Sequence, residues 1–272
     1  MTSPAVESIA RAMGDTRRTL VDHIEVFDSI DSTNTYLMQA SAPERGRFRV
    51  AVAVQQTSGR GRRGRQWLSP PGAGLYLSLA WSCSTPLDQL SGATLVIGAC
   101  VASALDKIGV AGIQLKWPND IMLNDGKLGG ILTESRIARS GQTVIVTGIG
   151  INRDLSEVPQ DDSEWSNLVF SDLASYMDAT PDTNRLAGAI AGAVIEGLVD
   201  MADGNAGPYL EQWKIRDWLK GQMVVVDDEA NSLRGVCRGV DASGALLLES
   251  GGECRRLVAG SVRRLPSGDC SP

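Results

Sequence analysis

The sequence predicts a larger domain that mixes helices with strands, followed by a small domain made of strands alone. Two long apolar stretches, residues 86–108 and 184–201, have the length of helices. Short apolar stretches bounded by turn residues lie around them and have the length of strands. After Gly221 only short β segments occur, so we expect the larger domain to occupy residues 1–219 and a small β-barrel to occupy residues 220–272.

The first part of the chain contains two short helices and two strands. Residues 3–14 start with Ser-Pro, continue with an apolar pattern and end in Gly, which predicts a capped N-terminal helix. Residues 31–34 form an N-cap cluster that opens a second helix. Residues 50–54 and 74–81 are predicted strands, and the diproline at residues 70–71 keeps the segment between them irregular.

The middle of the chain contains four more predicted strands. Residues 113–117 and 121–123 flank a turn, and Asp125-Gly126 is a strong hairpin signal. This turn leads into a strand at residues 127–134, whose glycines leave room for something beside it. Residues 143–149 form a further buried strand.

The last part of the chain begins with a polar, acidic segment, residues 153–164, which we expect to be a mobile loop. The helix at residues 184–201 follows, and residues 207–218 are expected to form another helix. The β domain is then predicted from four segments, at residues 223–226, 233–240, 245–248 and 254–258.

The composition excludes several classes of function. A net charge of -6 over 272 residues argues against a general coating of nucleic acid. No apolar run is long enough to span a membrane, and no signal peptide is evident. The five scattered cysteines are typical of reduced thiols, so we expect a cytoplasmic protein. Because His23 is the only histidine, His-based metal sites and Ser-His-Asp hydrolysis are nearly excluded, and no protein-held metal is expected.

Residues 59–67, the arginine loop, concentrate positive charge in an acidic protein. Arg60, Arg62, Arg63 and Arg65 lie among three glycines, and four guanidiniums so close together repel one another. Arginine forks match carboxylate and phosphate oxygens, so the loop suggests the joining of two anions. The alternative is a solvated surface loop. The Gly-x-Gly-x-x-Gly spacing is not a dinucleotide fingerprint, because no helix can follow through the diproline.

Two further clusters carry lysines, which are scarce in this chain. Lys116 opens the run Lys-Trp-Pro-Asn-Asp, where Asn119 and Asp120 suit a ribose, an adenine edge or a hydrated Mg²⁺; the alternative is a plain turn. Lys127 precedes a pair of glycines and either points at a ligand or is solvated. Glycines in the two neighbouring strands thin the wall of a pocket or mark bulges: Gly129, Gly130, Gly148 and Gly150.

The motifs occur in a characteristic order. Ser32-Thr33-Asn34 comes first, then Gln56 with the arginine loop, then Lys-Trp-Pro-Asn-Asp, Lys-Leu-Gly-Gly-Ile-Leu and Gly-Ile-Gly-Ile-Asn. Together they closely resemble biotin protein ligase, from about Phe27 to Val262. The resemblance implies an α+β catalytic domain with a mixed sheet and helices on one side, followed by an SH3-like C-terminal domain. It also implies that ATP, with Mg²⁺, activates biotin to biotinoyl-5′-AMP before transfer to a lysine of a carrier domain.

The resemblance assigns roles residue by residue. Lys127 is the key cation at the reacting centre, and Arg62 assists it. The implied biotin contacts are Ser32, Thr33, Asn34, Gln56, Arg60, Gly61, Arg62, Lys127, Gly129, Gly130, Gly148 and Gly150. The implied ATP contacts are Arg62, Arg65, Trp67, Lys116, Asn119, Asp120, Lys127, Asn152 and Trp165.

The resemblance also implies partners. The acceptor is the biotin carboxyl carrier domain of an acyl-CoA or pyruvate carboxylase, and a homodimer through the open sheet is one assembly that the family allows. Fewer than about thirty residues precede the Ser-Thr-Asn motif, too few for a folded DNA-binding domain, so DNA binding is not expected. Near the C-terminus, Ser261 stands where the family usually has Glu, which leaves the role of residues 260–265 open.

Two rival functions remain. Lipoate or octanoate ligases and transferases share the catalytic fold and differ in the acyl pocket; the arginine loop and the terminal β domain favour biotin. A regulator that senses a vitamin or nucleotide without catalysis is the second rival, and the retained Lys127 and Arg62 argue against it.

Overall fold

A computed structural model describes residues 4–86, 90–139, 141–158, 169–228 and 232–265. Within these residues the larger domain is built on seven strands in the spatial order β1-β2-β3-β7-β6-β5-β4. These strands are β1 (Val21–Phe27), β2 (Phe48–Ala53), β3 (Gly74–Cys83), β4 (Ile113–Lys116), β5 (Asp120–Leu123), β6 (Gly126–Ile137) and β7 (Thr143–Asn152). The pair β1–β2 is parallel and the other neighbours are antiparallel, which confirms the predicted mixed sheet.

Long helices cover one face of this sheet. The described helices are α1 (Val6–Met13), α2 (Asp15–Arg18), α3 (Thr33–Gln39), α4 (Ala93–Lys107), α5 (Thr183–Ala202) and α6 (Gly207–Ile215). Helix α4 packs against β4 and β6 on one side and against α5 and α6 on the other. Because it is enclosed in this way, its sequence is apolar around its whole circumference.

Of the helices in the described part of the chain, α3 alone lies on the opposite face of the sheet. Alternate residues of a strand point to opposite faces, and Leu79 of β3 belongs to the core beneath the long helices whereas Ala80 packs with Leu37 of α3. The expectation of helices on one side is therefore right for the long helices and wrong for α3. Since α3 is short, it leaves the rest of this face open for a cavity.

The C-terminal region forms a five-stranded antiparallel sheet in the spatial order β11-β10-β9-β8-β12. Its strands are β8 (Met223–Asp227), β9 (Ser232–Val240), β10 (Leu246–Ser250), β11 (Glu253–Leu257) and β12 (Ser261–Arg264). The predicted all-β region is confirmed. No strand pairing among the described residues joins β11 to β12, so its closure into a barrel stays a prediction.

Several elements differ from the sequence-based expectations, and short helix α2 was not predicted. Strand β1 was not predicted, because Asp22, His23 and Glu25 interrupt its apolar pattern at the edge of the sheet. Helix α4 begins at Ala93 rather than near residue 86, with Gly92 at its N-cap. Strand β12 is short and ends in two arginines, so it carries no clear strand signal. Among the described helices, none combines the length and apolar composition that a membrane span requires.

Candidate active site

A cavity of about 1420 Å³ opens on the sheet face that α3 leaves uncovered. Its walls come from the start of α3, the arginine loop, the β4–β5 turn, strands β6 and β7, and strand β12. It brings together most of the residues singled out in the sequence: Ser32, Thr33, Asn34, Gln56, Arg60, Gly61, Arg62, Arg65, Trp67, Lys116, Asn119, Asp120, Lys127, Gly130, Gly148 and Gly150.

Small residues make the floor of this cavity. Gly148 and Gly150 are alternate residues of β7 and therefore share the open face. A Cβ atom on Gly150 would lie 2.5 Å from Cε2 of Trp67, so the indole occupies the space that the missing side chain leaves. A Cβ atom on Gly148 would lie 3.0 Å from Oδ1 of Asn34. The missing side chains of these two glycines therefore leave room for the Trp67 indole and the Asn34 amide.

The start of α3 is fixed by a buried hydrogen-bond network. Ser32 caps the helix, its Oγ accepting from the Thr35 amide at 3.3 Å. The Thr33 amide and hydroxyl both donate to Oε1 of Gln56, at 2.9 and 3.1 Å, and the Thr33 Oγ1 lies 2.8 Å from Oγ of Ser78. Ser78 was missed by the sequence reasoning, because a serine inside an apolar strand gives no motif.

Two buried polar atoms beside the cavity have no hydrogen-bond partner among the described residues. Asn34 donates from Nδ2 to Glu134 Oε2 at 2.6 Å, but its Oδ1 is unpaired. Nε1 of Trp67 is also unpaired. Unpaired buried polar atoms are costly and rare in folded proteins, so an acceptor at Asn34 and a donor at Trp67 point to a ligand that supplies the missing partners.

Asp120 holds two lysines side by side. The Lys127 Nζ lies 2.6 Å from its Oδ1, and the Lys116 Nζ lies 3.1 Å from its Oδ2. Burial alone would raise the pKa of Asp120, but the two ammonium groups hold it below its ordinary value. The Lys127 ammonium also lies 5.4 Å from the ring centroid of Trp67, within reach of a cation–π interaction.

Each arginine of the loop has a partner within the protein. Arg60 forms two hydrogen bonds with the Glu134 carboxylate, and Arg62 donates to Oδ1 of Asn119 at 3.1 Å. Arg63 donates to the backbone carbonyl of residue 227, and Arg65 donates to Oγ of Ser261. The loop is therefore held in place by partners from the protein itself, one of which is the Glu134 carboxylate.

The surroundings of Arg62 disfavour its positive charge. Burial lowers the pKa of Arg62 below its usual range, and the neighbouring Arg63 and Arg65 lower it further, against the opposing charge of Asp120. Its partner Asn119 is neutral and is itself anchored by donation to the carbonyl of Ile131 at 2.7 Å. An anion placed beside Arg62 would stabilise its charged form.

Two of the predicted contacts that the structure describes, Gly129 and Asn152, are not part of the cavity lining. A Cβ atom on Gly129 would lie 2.5 Å from the carbonyl oxygen of Gly150, so the missing side chain permits close strand packing. The Asn152 side chain donates to the carbonyls of Lys127 and Ser171 and thereby braces β6. Trp165 lies outside the described residues, as do residues 159–164 of the segment expected to be a mobile loop.

The C-terminal sheet completes one rim of the cavity. Ser261 and its neighbours in β12 line it, and the Arg65–Ser261 hydrogen bond ties the arginine loop to this strand. Arg264 lies 4.3 Å from the ring centroid of Trp218, and both side chains hydrogen-bond Oδ1 of Asp125. No sequence motif predicted this cluster, because its members come from three distant segments.

The arrangement suits the joining of two anions. Lys127, Lys116 and Arg62 gather positive charge at one side of the cavity, while the unpaired acceptor of Asn34 lies at the start of α3. Fixed cations of this kind stabilise negative charge that builds in a transition state. A ligand with a carboxylate at one end and N–H donors at the other would satisfy both regions.

Comparisons with known proteins agree with this chemistry. A family model described as "Biotin/lipoate A/B protein ligase family" matches residues 26–152, and one described as "Biotin protein ligase C terminal domain" matches residues 220–271. The bifunctional ligase/repressor BirA of Salmonella typhimurium is 36% identical over 242 residues, which cover 88% of this chain and 73% of that protein. The biotin--[acetyl-CoA-carboxylase] ligase of Mycobacterium tuberculosis is 31% identical over 225 residues, 79% of each chain.

A solved structure shows the same architecture. The biotin protein ligase from Aquifex aeolicus in complex with biotin and ATP superimposes with a TM-score of 0.76 at 25% identity, over 90% of this chain and all of that one. The match spans both regions described above.

Proposed function

This chain belongs to the biotin protein ligase family, and we propose from that premise that it activates biotin with ATP and attaches it to a lysine of a biotin carboxyl carrier domain. In the first step the biotin carboxylate attacks the α-phosphorus of ATP and releases pyrophosphate. In the second step a lysine amine of the acceptor attacks the biotinoyl-5′-AMP carbonyl and releases AMP. Mg²⁺ enters with the ATP phosphates, as part of that substrate.

The observation that carries this proposal is the cation cluster around Asp120. Two anions must approach each other in the first step, and their repulsion opposes the reaction. The Lys127 ammonium, 2.6 Å from Asp120, sits at the edge of the cavity with Arg62 close to the same carboxylate. We assign to Lys127 and Arg62 the task of stabilising charge on the carboxylate and the α-phosphate as they meet.

The biotin end of the cavity is assigned to the start of α3. The ureido group of biotin carries N–H donors and a carbonyl acceptor, and Asn34 offers an unpaired acceptor there. Ser32, Thr33 and Gln56 line the same region, and Gly148 leaves space beside it. Arg60 and Gly61 close over the tail of the ligand from the arginine loop.

The ATP end is assigned to the opposite wall. Arg65, Trp67, Lys116, Asn119 and Asp120 line it, and β12 closes its rim. Gly129 and Asn152 are proposed to act indirectly, by fixing the strand that carries Lys127. The acceptor is a carrier domain of a carboxylase, and the reaction is placed in the cytoplasm, where ATP is available.

The nearest rival is a lipoate or octanoate ligase. The first family model covers both activities and does not separate them, whereas the second is specific to biotin ligases. The unpaired Asn34 acceptor also favours biotin, since octanoate and lipoate carry no N–H donor to pair with it.

Pyrophosphate release tests the proposal and separates it from its rivals. The protein is mixed with Mg²⁺-ATP and with biotin, lipoate or octanoate in parallel, without any acceptor. We expect rapid release with biotin, and release that is slower by at least about tenfold with lipoate and octanoate, because neither acid pairs with the Asn34 acceptor. Release with lipoate or octanoate but not biotin would favour the rival ligase, and no release with any acid would favour a non-catalytic sensor.

A further inference from the structure

We propose that Glu134 is a positioning residue that fixes the Asn34 amide so that its oxygen faces the ligand, and that this selects acids bearing an N–H donor. Glu134 is not among the residues that line the cavity. It acts through two residues that do, Asn34 and Arg60. The inference rests on the proposed function, because it concerns how the same cavity chooses its acid.

The Glu134 carboxylate restricts which hydrogen bonds its neighbours can form with it. An ionised Glu accepts hydrogen bonds and cannot donate them. Glu134 accepts from Asn34 Nδ2 at 2.6 Å through Oε2, and from Arg60 at 2.9 Å and 2.8 Å through Oε2 and Oε1. An Asn side chain turned by 180° would place its own oxygen against that carboxylate. The turned orientation is therefore disfavoured by the repulsion of two acceptors.

The second step concerns what this orientation leaves on the other side. With Nδ2 bound to Glu134, Oδ1 of Asn34 faces the space above Gly148, where a Cβ atom would lie 3.0 Å away. Only 3% of the Asn34 surface is exposed, and Oδ1 has no partner among the described residues. The cavity therefore contains a buried acceptor, Oδ1 of Asn34, whose orientation is fixed by Glu134 from outside the cavity lining.

The third step concerns the ligand. A buried acceptor left unpaired weakens binding of the ligand by about tenfold or more. An acid with a ureido or similar N–H group at the end far from its carboxylate pairs with Oδ1. An acid that ends in hydrocarbon or sulfur leaves Oδ1 unpaired, and a site built in this way rejects the analogue that lacks the donor.

The same carboxylate connects ligand choice to the arginine loop. Arg60 is held by Glu134 through two parallel hydrogen bonds, the geometry that fixes a guanidinium best. One side chain therefore anchors the loop and orients the amide. We expect selectivity to depend on the Glu134–Asn34 contact, and closure of the loop to depend on the Glu134–Arg60 contact.

The test replaces Glu134 by Gln, which keeps the shape and removes the constraint, because Gln both donates and accepts. A matched control is Glu25→Gln. Glu25 also bridges α3 and an arginine, accepting from the Tyr36 hydroxyl and from Arg49, but it lies away from the cavity lining. Pyrophosphate release is measured against biotin, octanoate and ATP concentrations for both variants and the wild type, and thermal unfolding is recorded for each protein.

We expect Glu134→Gln to raise KM for biotin about tenfold or more while the octanoate rate stays within about twofold of wild type. KM for ATP should stay within about twofold in all variants, and Glu25→Gln should leave the ratio of biotin to octanoate unchanged. In an Asn34→Ala background, Glu134→Gln should have no further effect on that ratio. This second arm separates orientation of Asn34 from general loss of stability.

Two results would overturn the inference. One is a ratio of kcat/KM for biotin to kcat/KM for octanoate that is the same in Glu134→Gln as in the wild type. The other is an equal fall in that ratio when Glu134→Gln is introduced into the wild type and into Asn34→Ala. A wild-type protein that activates no biotin would instead contradict the proposed function, so the two failures are distinguishable.

Discussion

The Nζ of Lys127 lies 2.6 Å from Oδ1 of Asp120, and this one carboxylate holds a second ammonium, that of Lys116, on its other oxygen. The contact keeps the Lys127 ammonium at the edge of the cavity before any substrate is present. The negative charge of Asp120 also offsets the repulsion between these two cations, both of which line the cavity.

The first prediction concerns how stability depends on pH through Asp120. Despite burial, the ammonium groups of Lys127 and Lys116 hold the pKa of Asp120 in the folded protein below its ordinary value of 3.8, so the charged form stabilises the fold. Asp120→Asn should lower the free energy of unfolding by about 1–3 kcal/mol at neutral pH. The difference between the two proteins should be constant from neutral pH down to about pH 5, and should shrink as pH falls below 3.8 through the lower folded value.

Urea unfolding of wild type and Asp120→Asn at several pH values measures this difference. A gap that widens on acidification, or that stays constant down to pH 2, would contradict the assigned charge state. Asp106→Asn is the control, because Asp106 forms an exposed ion pair with Arg216 outside the cavity.

The second prediction concerns Lys127 in catalysis. Lys127→Ala should lower the rate of adenylate formation by about 10²–10³-fold, because its charge matters most as negative charge builds at phosphorus. The Kd for biotin should change far less. Single-turnover pyrophosphate release and calorimetric titration with biotin give the two values. Lys214→Ala, which removes a half-buried lysine of α6 that pairs with Glu211 away from the cavity lining, should leave both values unchanged. A Lys127→Ala variant with a normal rate would refute the role.

The third prediction concerns the floor of the cavity. Gly150→Ala would place a methyl group 2.5 Å from the Trp67 ring, which leaves no room for the indole in its present position. We expect KM for ATP to rise at least about tenfold, since Trp67 lines the proposed nucleotide wall. Gly207→Ala is the matched control, because nothing lies within 4 Å of a Cβ there. Equal kinetics for the two variants would show that Trp67 tolerates displacement.

The fourth prediction concerns retention of the adenylate. Arg62 links the arginine loop to Asn119 across the cavity, and Arg62→Gly removes that link while leaving Lys127 in place. The intermediate should then escape and acylate nearby amines, and Arg62→Lys should repair the leak only in part, because an ammonium lacks the guanidinium fork. Mass spectrometry of a bystander protein measures the labelling. A variant that forms adenylate yet labels bystanders no more than wild type would exclude this role.

Sequence patterns predict the motifs and strands that depend on residues close together in the chain. The glycine, lysine and arginine motifs lie in short contiguous stretches, and the structure brings nearly all of them to one cavity. Strands such as β3 and β7 follow from their apolar composition, because they are buried in the middle of the sheet. Edge strand β1 was not predicted, because charged residues at a solvated edge interrupt the apolar pattern.

Contacts between distant segments could not be predicted from the sequence. Glu134 lies 100 residues from Asn34 and 74 from Arg60, so no spacing rule connects them. The partners of the arginine loop also come from remote segments, so the sequence left open whether the loop binds anions or is solvated. The packing of Gly129 against the neighbouring strand could not be predicted, because periodicity does not reveal which face a glycine presents at a bulge in strand pairing.

Transfer to the acceptor is the step that tests the proposed function most directly. The protein is incubated with biotin, Mg²⁺-ATP and a biotin carboxyl carrier domain, and the intact mass of the acceptor is measured before and after. We expect the acceptor to gain one biotinyl group, only when ATP and biotin are both present and only while its target lysine is intact. An acceptor of unchanged mass, in a reaction where an established biotin ligase modifies the same domain, would contradict the assignment.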